Sequence, residues 1–76
     1  MGSEIFTKRL RAYRKLKHLT QQEFAEAIGV SVAVVGGLER GTRIPSENQL
    51  TKIVTVLQVS RTDLGIEGQV EEADRR

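Results

Sequence analysis

The chain has 76 residues, no cysteine and a single histidine, and its formal net charge at neutral pH is +2. This length predicts one small domain with a thin core. The absence of cysteine excludes a disulfide framework and a thiolate metal site. No apolar run is long enough to span a bilayer and no secretory signal opens the chain. A protein with no metal, cofactor or membrane attachment is therefore expected, and the lack of cysteine fits a reducing cytosol.

Positive charge is concentrated near the N-terminus. Residues 67–76 carry four acidic and two basic side chains, whereas residues 1–65 hold ten basic and six acidic ones, a net charge of +4. Six of the basic residues lie between Thr7 and His18 with no acidic residue among them: Lys8, Arg9, Arg11, Arg14, Lys15 and Lys17. Such a block suggests a polyanionic partner, although a solvated helix face would show the same pattern.

The first two helices are predicted from apolar spacing and capping residues. Residues 4–17 form helix 1, because Phe6, Leu10 and Tyr13 recur at intervals of four and three. Thr20 and Glu23 have the spacing of a capping box that opens helix 2. The inward face of helix 2 consists of Phe24, Ala25 and Ile28. Gly29 ends this helix, since glycine tolerates a positive φ.

Helix 3 is predicted between Ser31, its N-cap, and Gly41, its C-cap. Val35 and Leu38 are the expected inward residues. The pair at 36 and 37 is unusual, because each glycine costs roughly 1 kcal/mol relative to alanine inside a helix. Pro45 then blocks any continuation of the helix.

A second capping box, Ser46 with Gln49, opens helix 4. Its apolar stripe consists of Leu50, Ile53, Val54 and Leu57. Ser60 and Asp63 are expected to cap a short helix 5 that contains Leu64. The domain is predicted to cover residues 4–66, and residues 67–76 are expected to be a polar, acidic and disordered C-terminal tail.

Residues 20–46 therefore have the pattern of a helix-turn-helix, in which the second helix can enter the DNA major groove. The stretch TQQEFAEAIGVS, followed by a helix ending in LERG and then by IPS, resembles the phage-repressor/Cro type of helix-turn-helix regulator. That family is also called the xenobiotic-response-element type. The resemblance runs from about Phe6 to Leu64 and implies an all-α, five-helix, lambda-repressor-like DNA-binding domain. Further agreements with the family are Arg14, Leu19-Thr20-Gln21, Glu39-Arg40-Gly41, Pro45-Ser46, and Leu57 with Val59.

The resemblance also implies roles for individual residues. Arg14 and Glu39 look like the family's internal ion pair between helices 1 and 3, which is structural whatever the partner of the chain. Gln21 resembles the glutamine that grips a phosphate and braces helix 3. The residues expected to contact DNA phosphates are Gln21, Gln22, Arg40, Thr42, Arg43 and Arg11. Arg40 and Arg43 would be ordinary solvated charges if DNA is not the partner.

The predicted base-reading residues are Val32, Ala33, Val34 and Gly36, and here the chain departs from the family, whose members mostly carry polar or basic residues. Valine and alanine cannot form bidentate hydrogen bonds to purines, but they can contact thymine methyl groups. Gly37 occupies a position where the family often has arginine or lysine, so one phosphate contact is expected to be missing. His18 replaces a frequent glycine at the end of helix 1, which suggests a left-handed conformation and a structural role.

The sequence is consistent with two functions. The first is a sequence-specific DNA-binding transcriptional regulator, specifically a repressor, that binds a pseudo-palindromic operator in double-stranded DNA as a homodimer. The alternative is a protein-interaction module or antitoxin whose apolar helix 3 surface, Val32 with Val34, binds a protein partner. An enzyme is disfavoured, because the chain has one histidine, no cysteine and no convergent carboxylate cluster.

The dimer contacts and the biological setting are also expectations. Leu64, Ile66 and Val70 are the apolar candidates for a dimer interface, unless Leu64 belongs to the core. The resemblance implies a cytoplasmic protein that is bacterial, phage-encoded or plasmid-encoded.

Overall fold

In a computed structural model, which describes residues 4–66, the chain folds into α-helices joined by short loops. The helices are α1 (Glu4–Leu16), α2 (Gln21–Ile28), α3 (Val32–Arg40) and α4 (Glu47–Leu57). Within residues 4–66 there is no β-strand, so the all-α prediction is confirmed. The predicted tail, residues 67–76, lies outside the described residues.

The predicted fifth helix is a single 3-10 turn, Thr62–Leu64. Its hydrogen bonds span three residues: the Leu64 N–H donates to the Arg61 carbonyl at 3.0 Å, and the Gly65 N–H donates to the Thr62 carbonyl at 2.8 Å. Gly65 turns left-handed at φ 81°, which stops the segment before an α-helical turn can close. The expected count of five helices is therefore not confirmed: the described residues contain four α-helices and this turn.

The core lies where the four helices and the 3-10 turn meet. Each element contributes side chains that are almost completely buried: Leu10, Phe24, Ile28, Val35, Leu38, Ile53, Leu57 and Leu64. Tyr13 and Val54 pack against this cluster but remain half-buried. Burying an aliphatic or aromatic side chain of this size stabilises the fold by about 1.5–3 kcal/mol. The burial of Leu64 therefore anchors the 3-10 turn to the core.

The helix ends carry the predicted caps. Thr20 and Glu23 form a complete capping box, with the Glu23 N–H donating to Thr20 Oγ1 at 3.0 Å and the Thr20 N–H donating to Glu23 Oε1 at 2.9 Å. Ser46 and Gln49 form the second box in the same way. His18 has a φ of 61°, so it does adopt the left-handed conformation expected of it.

Candidate nucleic-acid interface

The α2–α3 pair is held together by a tight turn and close packing. Gly29 ends α2 in the left-handed conformation, at φ 76°. The next N–H, that of Val30, donates to the Ala25 carbonyl at 2.9 Å, which closes the end of the helix. The Ala25 side chain is buried. A short turn and a small buried residue allow α3 to pack closely on α2, as a helix-turn-helix requires.

A nearly buried ion pair links α1 to α3. Arg14 Nε donates to Glu39 Oε2 at 2.6 Å, and Arg14 Nη2 donates to Glu39 Oε1 at 3.2 Å. The two side chains are only 8% and 5% exposed. The remaining Arg14 nitrogen, Nη1, donates to the Leu19 carbonyl at 2.7 Å, so the α1–α2 loop is fixed by the same guanidinium.

Gln21 joins this network from the N-terminal end of α2. Its side-chain Nε2 donates to Glu39 Oε1 at 3.0 Å. The Glu39 carboxylate thus accepts from both Arg14 and Gln21, and α1, α2 and α3 are tied at one point. Gln21 remains partly exposed and Gln22 is exposed. These two side chains lie where the first turn of α2 leaves backbone N–H groups directed outward, an arrangement suited to binding an anion.

The first turn of α3 is exposed and apolar. Val32 is 46% exposed, and Ala33 is exposed beside it. Val34 is half-buried and packs against the core. Gly36 is buried and lies beneath Arg40: a Cβ atom at position 36 would be 3.0 Å from Arg40 Nη1. Of the four predicted base-reading residues, Val32 and Ala33 thus present the most open surface.

The C-terminal end of α3 and the loop that follows present three exposed polar side chains: Arg40, the last residue of the helix, and Thr42 and Arg43 in the loop. The loop folds back on the end of the helix, because the N–H groups of Thr42 and Arg43 donate to the Gly37 carbonyl at 3.0 and 3.2 Å. The Thr42 hydroxyl donates to the same carbonyl at 3.3 Å. The predicted phosphate-contacting side chains of this loop are therefore held against the C-terminal end of α3.

The helix-turn-helix family model matches residues 10–64, which include α2, α3 and the Arg14–Glu39 pair. The chain belongs to the helix-turn-helix family of transcriptional regulators, of the xenobiotic-response-element type. Proteins of this family bind DNA.

Relatives and solved structures agree with this assignment. The uncharacterized HTH-type transcriptional regulator YazB of Bacillus subtilis (strain 168) is 45% identical over 64 residues, which are 84% of this chain and 93% of YazB. The restriction-modification controller protein C.AhdI from Aeromonas hydrophila has 37% identity and a TM-score of 0.73, over 79% of this chain and 91% of that one. The clp gene regulator ClgR from Corynebacterium glutamicum has 35% identity and a TM-score of 0.76, over 87% of this chain and 70% of that one.

In this helix-turn-helix domain Gly37, the second glycine of α3, has a packing role that spacing along the sequence does not show. The aliphatic part of Arg43 lies over Gly37, where a Cβ atom would be 2.9 Å from Arg43 Cγ and Cδ. Gly37 therefore makes room for the loop that carries Arg43. The signal in the sequence was the cost of two adjacent glycines in a helix, which is tolerated when packing requires it.

The last predicted phosphate contact, Arg11, lies on the exposed side of α1. It belongs to the basic block, in which Lys8 and Lys15 are also exposed. No helix in residues 4–66 is long and apolar enough to cross a membrane. The same residues contain no group of three histidine, aspartate or glutamate side chains that could hold a metal ion.

Proposed function

We propose that this helix-turn-helix protein is a sequence-specific transcriptional repressor that inserts α3 into the major groove of its operator. The observation that carries the proposal is the exposed first turn of α3, which has Val32 and Ala33 at its surface. Glu39 fixes this helix to α1 and α2. A rigidly held helix of this kind can present the same few side chains to successive base pairs.

Phosphate contacts would supply most of the affinity. Gln21 and Gln22 stand at the N-terminal end of α2, and Arg40, Thr42 and Arg43 at the C-terminal end of α3. Contacts at both positions would clamp the backbone on either side of the groove, and cation–phosphate contacts make affinity fall steeply with salt. Base readout would be methyl-directed, because Val32 and Ala33 can contact thymine methyl groups but cannot donate hydrogen bonds from their side chains.

We propose that the repressor binds as a homodimer to a pseudo-palindromic site. A nine-residue α3 that presents one apolar turn contacts only a few base pairs, and two copies spaced by one helical turn of DNA double the sequence that is read. Of the three apolar candidates for the dimer interface, Leu64 is buried in the core of its own chain and so is not available for that contact. Ile66 is half-buried, and Val70 lies outside the described residues.

The decisive experiment is fluorescence anisotropy with a pool of random DNA duplexes, at low and at physiological salt, with selection of the bound fraction. The expected result is a steep salt dependence and enrichment of a pseudo-palindrome, and transcription in vitro from a promoter carrying that sequence should fall. Salt-sensitive binding without enrichment would indicate non-specific binding. No binding even at low salt would instead favour the alternative, a protein partner that binds at Val32 and Val34.

Three substitutions test the interface within the same assay. Gln21→Ala and Arg43→Ala should each weaken binding to all sequences, and Arg43→Ala, which removes a cation, should also flatten its salt dependence. Val32→Asp should abolish binding, because it places an anion in the groove. The groove model is wrong if all three variants bind like the parent chain.

Matched controls use exposed positions on α4, a helix to which the proposal assigns no DNA contact. Lys52→Ala removes the same charge as Arg43→Ala, but Lys52 Nζ lies near Gly29, at the opposite end of α2 from Gln21. Thr55→Asp adds the same charge as Val32→Asp on the exposed side of α4. Both controls should keep the parent's sequence preference.

A further inference from the structure

The outer side of α1 carries an apolar stripe that the core does not use. Ile5, Ala12 and Leu16 are separated by seven and four residues, so they lie along one side of the helix. Leu16 is 70% exposed and Ile5 is 52% exposed, and Ala12 is also exposed. The inward side of the same helix is formed by Phe6, Leu10 and Arg14. Helix α1 therefore has two apolar surfaces: the inward one is buried in the core, and the outer stripe is exposed.

Positive charge borders this stripe. Lys8, Arg11 and Lys15 are all exposed and follow one another at intervals of three and four, so they form an adjacent row. The only acidic residue of α1 is Glu4, at its first position. Packing α1 against α1 of a second copy would place two such rows of like charge together, which disfavours that arrangement. An acidic segment with a few apolar residues fits the surface better.

The C-terminal end of the described residues lies next to this surface of α1. At the end of the described residues, Gly65 lies against α1: a Cβ atom at position 65 would be 2.6 Å from Ile5 Cγ2. Arg9 Nη1 donates to the Asp63 carbonyl at 3.3 Å, which fixes the 3-10 turn beside the same helix. Residue 67 therefore follows directly from a point next to the first turn of α1.

The segment after that point has the complementary composition. Residues 67–74 contain no basic residue, and their acidic side chains are Glu67, Glu71, Glu72 and Asp74. Val70 and Ala73 are the apolar residues among them. Eight residues can span up to about 26–29 Å when extended, whereas Ile5 and Leu16 are roughly 16 Å apart along the helix axis. The segment is therefore long enough to follow the whole stripe.

We propose that residues 67–74 dock on the outer side of α1 of the same chain, with Val70 and Ala73 against the Ile5–Ala12–Leu16 stripe and the acidic side chains beside Lys8, Arg11 and Lys15. The docked segment covers apolar surface and neutralises part of the basic block. Docking itself does not depend on DNA binding, so it can be tested separately from the proposed function.

The test is paramagnetic relaxation enhancement on the full chain. The chain has no cysteine, so Arg76→Cys provides a unique attachment point for a nitroxide label without removing an acidic residue. In dilute buffer of low salt, we expect selective broadening of the amide signals of residues 8–16, and little effect on α4. Glu71→Lys and Leu16→Gln should each reduce this broadening by at least half. Glu26→Lys makes the same charge change on the exposed side of α2 and should leave the broadening intact.

A mixing experiment identifies the occupant of the surface. In this experiment, chains that carry the nitroxide but no nitrogen-15 are mixed with chains that contain nitrogen-15 but carry no nitroxide. Intramolecular docking then predicts no broadening of the α1 signals. Broadening that persists in the mixture would show that a second copy supplies the contact, and would overturn the proposal. The absence of selective broadening in the singly labelled chain, or broadening that Glu71→Lys and Leu16→Gln leave unchanged, would overturn it as well.

Discussion

Arg14 on α1 and Glu39 on α3 share two hydrogen bonds, of 2.6 and 3.2 Å, in a site where neither side chain is more than 8% exposed. A second donor to the carboxylate, Gln21, comes from α2. The pair therefore fixes the orientation of α3 relative to the two helices that precede it.

Removing both partners of this pair should destabilise the domain by less than the sum of the two single removals. Arg14→Met leaves the Glu39 carboxylate nearly buried with only Gln21 as a donor, and loss of one partner of a buried pair costs about 3–5 kcal/mol. In the double variant Arg14→Met, Glu39→Met no charge is stranded, so its loss of stability should be smaller than the sum of the two single losses. Urea denaturation of the four proteins measures this coupling. Additive losses would show that the pair does not act as a unit.

The two glycines of α3 should respond differently to alanine. At position 36 the new methyl group would meet only the end of the Arg40 side chain, which can move aside, so Gly36→Ala should stabilise the domain by up to about 1 kcal/mol. At position 37 it would meet Arg43 Cγ and Cδ at 2.9 Å and Thr42 Oγ1 at 3.2 Å. Gly37→Ala should therefore gain nothing or lose stability. Denaturation midpoints of the two variants compare them directly, and equal stabilisation would contradict the packing role assigned to Gly37.

The caps show how far local sequence determines this fold. Thr20, Ser31 and Ser46 each accept a hydrogen bond at the start of the predicted helix, because a side-chain oxygen followed by a helical pattern satisfies an end amide without help from the rest of the chain. Gly29 and Gly41 end their helices for an equally local reason. The placement of Val32 and Ala33 on an exposed first turn follows from these caps.

Other features depend on contacts that the sequence does not reveal. Gln58 adopts a left-handed conformation at φ 60°, although nothing in its neighbourhood marks it as a helix end, and it accepts a hydrogen bond from Lys17 Nζ on α1. Arg40 and Arg43 lie over Gly36 and Gly37, and this packing depends on how the loop folds back after α3. The 3-10 turn is likewise set by where Leu64 meets the core. These features are tertiary, so spacing along the chain could not predict them.

The surface pair Glu47–Arg61 predicts one pH effect. The hydrogen bond from Arg61, followed by its positive charge, holds the pKa of the Glu47 carboxyl below its ordinary value. Because the folded-state pKa is lowered, the contribution of this pair to stability is present above the unfolded-state pKa and is lost as the pH falls through the folded-state value. NMR titration of Glu47 should show the low pKa, and Arg61→Met should return it towards the ordinary value. Lys52→Met removes a positive charge from the same helix and should leave it low.

Tail docking and DNA binding together predict that the acidic segment weakens the affinity of the chain for DNA. If residues 67–74 occupy the side of α1 that carries Arg11, they compete with phosphates for the basic block, so Glu71→Gln with Glu72→Gln should raise affinity for DNA of any sequence. The increase should be largest at low salt and shrink towards physiological salt, since screening weakens both the docking and the phosphate contacts. Anisotropy titrations at several salt concentrations measure it. The Glu26→Lys chain changes the net charge by the same amount, on the exposed side of α2, but leaves the tail intact. An equal gain from that control would mean that net charge alone, and not a docked segment, limits the affinity.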